Sequence, residues 1–200
     1  MRKAYGTLCS LLGIFLNVLL FAGKYAAGAI SGSIAITADA FNNLSDAGAS
    51  AISLLGFRLS GKKPDPDHPF GHGRMEYMSA FIVAVLILLV GAELLKSSAS
   101  ALINGDKAPV YSGYALAVLA VSIAVKLWMY IFNRKLAKKA DSGVFRATAQ
   151  DSLNDMLSTG VILFSVAISM AVKLPFNLDA GMGVLVSLFI PVSYTHLTLP

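Results

Sequence analysis

The chain has 200 residues, of which 56% are hydrophobic and only 14% are charged, with a mean hydropathy of +0.69. Water-soluble domains carry roughly 25% charged residues, so this composition excludes an ordinary soluble domain and predicts a multi-pass membrane protein surrounded by lipid. The formal net charge is +5, but the basic residues form short clusters without interleaved aromatic residues, which excludes a nucleic-acid partner.

The apolar stretches predict an all-α fold, a six-helix transmembrane bundle, because a bilayer core of roughly 30 Å needs about 20 apolar residues. In chain order they cover residues 7–30, 33–57, 79–103, 110–132, 144–172 and 178–190. The breaks between them carry turn residues, such as SGS at 31–33 and NGDKAP at 104–109. A signal peptide is an alternative for the first stretch, but the apolar run is too long and Lys24 interrupts its end.

Lysine and arginine predict the orientation of the bundle. They precede helix 1 and fill alternate loops: Arg2 and Lys3; Arg58, Lys62, Lys63 and Arg74; Arg134, Lys135, Lys138, Lys139 and Arg146. The other loops hold only Lys107 and Lys173. By the positive-inside rule, the N-terminus and both basic loops are cytoplasmic, and the protein belongs in the cytoplasmic membrane.

The sixth stretch loses its apolar character after Ile190, where PVSYTHLTLP follows. Two explanations are open. Either helix 6 stops about halfway across the membrane, or residues 191–200 are a non-native tail of a truncated chain. The abruptness of the change favours the second, so the transmembrane domain is expected to cover residues 1–190 with an incomplete sixth helix.

Polar residues recur in the same pattern within helices 2 and 5. Asn42 and Asp46 are four residues apart, as are Asp151 and Asp155, so each pair shares one helix face. A charged side chain in a membrane helix is costly unless it faces a partner, a cavity or a cation. Helix capping is an alternative that suits a single Asp but not two matched pairs. The two faces are therefore predicted to meet and form a four-ligand oxygen site, with Asp39 lining it rather than ligating.

The donor types indicate the ion. Three carboxylates and one amide oxygen are hard ligands, suited to Mn²⁺, Mg²⁺ or Ca²⁺, and neither His nor the lone Cys9 takes part. Ca²⁺ prefers more oxygens and Mg²⁺ dehydrates reluctantly, which favours Mn²⁺, with Fe²⁺ next. Carboxylates that lose their cation repel one another and favour a proton. Metal release and proton uptake are then linked, as in a metal/proton antiporter, and the metal is cargo rather than a cofactor.

Three segments together resemble the cation diffusion facilitator family: SGSIAITADAFNNLSDAGAS, then KPDPDHPFGHGRMEY, then DSLND in helix 5. The resemblance covers about residues 4–190 and implies efflux of a divalent cation. Zinc-transporting members commonly have His at the first position of one or both pairs. Asn42 and Asp151 stand there in this chain, which resembles the manganese-exporting branch.

The resemblance has two further implications. Family members usually complete helix 6 and add a cytoplasmic ferredoxin-like domain that helps them to dimerise, so the full-length form is expected to be a homodimer and this chain to lack that domain. A second metal site of the family would use Asp65, His68 and His72 in the cytoplasmic loop. A solvated loop, whose Pro and Gly residues set a turn, is the alternative there.

Three other functions are alternatives to Mn²⁺ efflux. A Zn²⁺, Fe²⁺ or Co²⁺ exporter of the same family and a non-transporting fragment that pairs with a full-length relative remain open. An intramembrane metalloenzyme is disfavoured because no HExxH motif is present, so the protein is predicted not to be an enzyme. Lys126, in mid-helix 4 beside Trp128, is interpreted as a packing or snorkelling residue rather than a transport residue.

Overall fold

The computed structural model describes residues 2–59, 73–105, 109–140, 143–172 and 177–198. All regular structure in these residues is helical, which confirms the predicted all-α fold. The helices are α1 (Arg2–Ser31), α2 (Ile34–Leu59), α3 (Gly73–Asn104), α4 (Gly113–Ala140), α5 (Gly143–Ala171) and α6 (Leu178–Thr198).

Helix α4 is longer than predicted. It continues to Ala140 rather than ending near residue 132, so Arg134, Lys135, Lys138 and Lys139 belong to the helix and not to a loop. Lys138 and Lys139 lie in its last turn, where positive charge is favourable beside the negative end of the helix dipole. The hydropathy pattern missed this extension because it follows the apolar core of the helix and not its polar end.

Helix α6 corrects the prediction for the end of the chain. The backbone stays helical through Thr198, past Pro191, and the helix has 21 residues instead of ending near Ile190. Pro191 removes one backbone donor, but unpaired backbone groups on either side would cost still more in a membrane, which favours a continued helix. The expectation that residues 191–200 are not native stays a prediction.

The helices associate as three close pairs. α1 packs on α2, α4 on α5 and α3 on α6, while α1 also contacts α4 and α2 contacts α6. The α1–α2 pair is tight at Gly28, where an added Cβ would lie 2.4 Å from Thr37 Oγ1. An apolar cluster joins five of these helices, with Ala27, Ile36, Leu119, Ile162 and Val186 among its buried residues. α2 and α5 are thereby held facing each other, although they pack less closely than α2 does on α1 or α5 does on α4.

The bundle is apolar outside and polar inside. Large apolar side chains are exposed on the outer faces of five helices: Phe15, Phe81, Val121, Phe164 and Leu185. Charged and amide side chains are buried inside, among them Lys24, Asp39 and Lys126. Within the described residues three helices are long and apolar enough to span a bilayer: Thr7–Ser31, Gly113–Lys139 and Phe145–Ala171. This is the arrangement of a helical membrane protein.

The start of α2 is fixed by residues from elsewhere in the chain. Gly32 has a φ of 70° and lets the chain turn after α1, and Ser33 Oγ then accepts the Ile36 N–H at 3.1 Å as the N-cap. Asp179, in the first turn of α6, accepts the Ile34 N–H at 2.8 Å and the Tyr111 hydroxyl at 2.8 Å. Its negative charge is well placed at the positive end of the α2 dipole.

Tyr111 is a reliable donor in this contact. Burial and the nearby Asp179 carboxylate raise the pKa of Tyr111 above its ordinary value, so its hydroxyl keeps its proton. Asp179 thus joins α2, α6 and the segment before α4 at one end of the bundle.

Candidate cation-binding site

The structure brings together the four residues that the repeated polar pattern singled out. Carboxylate oxygens of Asp46, Asp151 and Asp155 lie within 4.8 Å of one another. Asn42 Nδ2 donates to Asp155 Oδ1 at 2.7 Å. Asn42, Asp46, Asp151 and Asp155 are called the α2–α5 site below. Its four side chains converge because each pair lies on one face of its helix and the two faces oppose each other.

The α2–α5 site is shielded from the surroundings to different degrees. Asp155 is buried, whereas Asp46 and Asp151 are half-buried. Three carboxylates in so small a volume repel one another, and they require a compensating positive charge. Part of that compensation comes from within the protein.

Lys126 on α4 supplies the compensating charge, which corrects the earlier interpretation of this residue as a packing or snorkelling group. The Lys126 side chain is 1% exposed, and its ammonium donates to Asp46 Oδ2 at 2.9 Å and to Asp155 Oδ2 in a short contact. A third bond goes to Asn17 Oδ1 on α1 at 2.8 Å. All three ammonium donors are therefore used inside the bundle, and none of this charge is carried to an interface.

A sequence signal for Lys126 did exist. A lysine in the middle of an apolar helix faces the bundle interior unless it lies close enough to an interface to snorkel, and carboxylates on other helices are its natural partners. Asn17, in the middle of α1, is a weaker signal of the same kind. Neither residue repeats in a pattern, so neither could be assigned to a partner from spacing alone.

Asp39 belongs to a second buried cluster. Asp39 Oδ2 lies 2.8 Å from Lys24 Nζ and 3.0 Å from Thr159 Oγ1, and Lys24 also donates to Thr159 at 3.0 Å. These three residues join α1, α2 and α5. Within the described residues, the Asp39 carboxylate thus contacts Lys24 and Thr159 rather than members of the α2–α5 site. The predicted role of Asp39 in lining that site stays a prediction.

The candidate metal site of the loop, Asp65, His68 and His72, lies outside the described residues. It stays a prediction from the sequence.

The charges of the α2–α5 site suit a divalent cation. Three carboxylates and the Lys126 ammonium leave a formal charge of −2, which one divalent cation would neutralise. The available donors are oxygens, the ligands that Mn²⁺, Mg²⁺ and Ca²⁺ accept. Fold and site together define a helical membrane protein with an interior carboxylate cluster, which is a candidate site for a divalent cation.

The chain belongs to the cation efflux family: residues 10–198 match its transmembrane domain. This confirms the resemblance drawn from the three sequence segments, and with it the expectation of a transporter rather than an enzyme. Members of this family are membrane proteins that transport divalent metal ions.

Two similar proteins of Bacillus subtilis are named for manganese. The manganese efflux system protein MneP is 32% identical over 158 residues, covering 79% of this chain and 52% of MneP. The manganese efflux system protein MneS is 34% identical over 159 residues, covering 79% of this chain and 54% of MneS. The magnetosome protein MamM of Paramagnetospirillum magneticum is 28% identical, covering 83% of this chain and 54% of MamM. The chain thus spans about half the length of these relatives.

Proposed function

We propose that this chain binds a divalent cation at the α2–α5 site and exports it across the cytoplasmic membrane in exchange for protons. The observation that carries the proposal is the convergence of Asp46, Asp151 and Asp155, whose oxygens lie within 4.8 Å of one another in the interior of a membrane bundle. Carboxylates inside a membrane bundle cost free energy and are typical of ion pathways.

Mn²⁺ is the proposed cargo. The α2–α5 site offers three carboxylates and an amide and no imidazole or thiolate, and hard oxygen donors favour Mn²⁺ over Zn²⁺. The similarity to MneP and MneS, named as manganese efflux proteins, supports the same choice. Asn42 would turn its amide to present Oδ1 to the ion, since its Nδ2 now donates to Asp155.

Proton coupling follows from the same carboxylates. When the metal leaves, the carboxylates of Asp46, Asp151 and Asp155 are left facing one another, and binding a proton relieves their repulsion. The basic residues between helices support a cytoplasmic N-terminus, so that the cation would be loaded from the cytoplasm. A homodimer in the full-length form, supported by the family resemblance, is part of this proposal.

Cation binding to the purified chain in detergent tests the site. Mn²⁺ and Zn²⁺ binding would be measured by equilibrium dialysis for the wild type, Asp46→Ala and Asp155→Ala. Mn²⁺ binding that both substitutions reduce by about 100-fold or more is expected, because each removes a charged oxygen ligand. Ser122→Ala, a buried α4 substitution one turn away from Lys126, is the matched control and should bind as the wild type does.

Two results would contradict the proposal. Zn²⁺ binding alone, unaffected by Asp46→Ala and Asp155→Ala, would shift the metal chemistry to Asp65, His68 and His72. Mn²⁺ binding without Mn²⁺ movement in proteoliposomes carrying a pH gradient would support the alternative of a non-transporting fragment.

A further inference from the structure

The ammonium of Lys126 lies where a bound cation would find its ligands. It contacts Oδ2 of both Asp46 and Asp155, and Asn42 Nδ2 holds the other oxygen of Asp155. Both oxygens of Asp155 are therefore occupied by donors of the protein itself. A metal ion that ligated these oxygens would have to share them with the ammonium and the amide while both keep their present positions.

This overlap matters because the metal ion and the Lys126 ammonium are both positively charged. A divalent ion on the carboxylates would meet the ammonium at close range, and like charges repel strongly in a low-dielectric interior. With the ion absent, the ammonium offsets part of the carboxylate charge in a setting where an unpaired charge is costly. The lysine therefore stabilises the empty site and opposes the filled one.

We propose that Lys126 is a tethered cation that competes with the transported metal for Asp46 and Asp155. The inference rests on the proposed function and adds a determinant of affinity supplied by α4. Metal binding moves the ammonium off the two carboxylates, and metal release lets it return.

Asn17 offers the displaced ammonium a hydrogen-bond acceptor. Its Oδ1 accepts from Lys126 at 2.8 Å, and Asn17 is buried on α1, a different helix from those that carry the carboxylates. The Asn17 amide oxygen carries no formal charge and does not bind the carboxylates that would hold the ion. Its contact with the Lys126 ammonium can therefore persist whether the metal ion is bound or absent. Asn17 is thus a positioning residue for Lys126.

The competition is tested by measuring Mn²⁺ affinity of the purified full chain at one pH, with Lys126→Met and Asn17→Leu as variants. Lys126→Met keeps the side-chain length and removes the charge, so Mn²⁺ should bind at least about tenfold tighter. Asn17→Leu removes the partner of the displaced ammonium, so Mn²⁺ should bind about three- to tenfold more weakly. Opposite changes in affinity are not expected from a role in packing alone.

Ser122→Ala is the matched control, because Ser122 is an equally buried polar residue of α4, one turn from Lys126, and its substitution changes no charge. It should change Mn²⁺ affinity by less than about threefold, which separates a general effect of altering a buried α4 side chain from the removal of the ammonium.

Equal or weaker Mn²⁺ binding by folded Lys126→Met would overturn the inference while leaving the proposed function in place. If Lys126→Met does not fold, the Mn²⁺ affinity of Asn17→Leu tests the inference instead. Unchanged or tighter Mn²⁺ binding by Asn17→Leu would overturn the inference. Wild-type binding that is absent, or that survives Asp155→Ala, would contradict the proposed function and the inference with it.

Discussion

Lys24 on α1 and Asp39 on α2 form an ion pair of 2.8 Å in which neither side chain is more than 1% exposed. Thr159 from α5 bonds to both partners. The pair therefore ties three helices together next to the α2–α5 site. The contribution of this ion pair to the free energy of unfolding is best measured by removing one charge and then both. A buried pair and a buried single charge differ greatly in free energy.

The first prediction is that Lys24→Met lowers the free energy of unfolding by about 3 kcal/mol, since Asp39 is left as an uncompensated buried charge. SDS titration of the protein in mixed micelles would measure this. The double variant Lys24→Met with Asp39→Leu should recover most of the loss. A double variant less stable than the single one would show that the pair itself, rather than the stranded carboxylate, carries the stability.

The second prediction concerns selectivity. Asp151→His replaces an oxygen ligand by an imidazole nitrogen, a donor typical of zinc sites, and should shift the Mn²⁺/Zn²⁺ affinity ratio towards Zn²⁺ by about tenfold or more. Competition dialysis with both ions measures the ratio. Asp151→Asn is the control, because it keeps an oxygen donor and should weaken both ions with little change of ratio. An unchanged ratio in Asp151→His would show that Asp151 does not select the ion.

The third prediction concerns the start of α2. Asp179→Ala should lower the free energy of unfolding by about 2–3 kcal/mol, because it leaves Ser33, Ile34 and Tyr111 without their acceptor and removes the anion from the helix end. Tyr111→Phe removes a single hydrogen bond and should cost about 1 kcal/mol. Equal losses in the two variants would mean that the backbone contact at Ile34 contributes little.

The fourth prediction concerns the close approach of α1 and α2. Gly28→Ala should destabilise the protein by about 1–3 kcal/mol, because the new Cβ would lie 2.4 Å from Thr37 Oγ1 and 2.9 Å from the Thr37 backbone nitrogen. Gly160→Ala is the matched control, since nothing lies within 4 Å of its Cβ position and alanine favours the helix by up to about 1 kcal/mol. Thermal unfolding of both variants in detergent would compare them. Similar stabilities would show that the two helices separate easily.

The meeting of Asn42 and Asp46 with Asp151 and Asp155 could be predicted from the sequence, because two matched pairs at i, i+4 spacing define two faces with one way to satisfy each other. Whether these residues bind the ion stays a prediction. Lys126 could not be assigned to them, because spacing within α4 says nothing about its rotation relative to α2 and α5.

Asp179 was missed for a related reason. An acidic residue in the first turn of a helix satisfies its own helix dipole, so nothing near it in the sequence points to a partner elsewhere. Its bond to Ile34 crosses 145 positions of the chain and depends on the packed arrangement of α2 and α6.

That long bond has a consequence for biogenesis. A ribosome makes α2 well before α6, so the N-terminus of α2 emerges and inserts without the carboxylate that later receives its amides. Until Leu178 and Asp179 have left the translocation machinery, the first helices can pair with one another but α2 cannot reach its final contacts. Insertion of α6 is therefore required before α2 reaches its final contacts, and a nascent chain arrested before residue 178 should be more exposed to membrane quality control than one that includes α6.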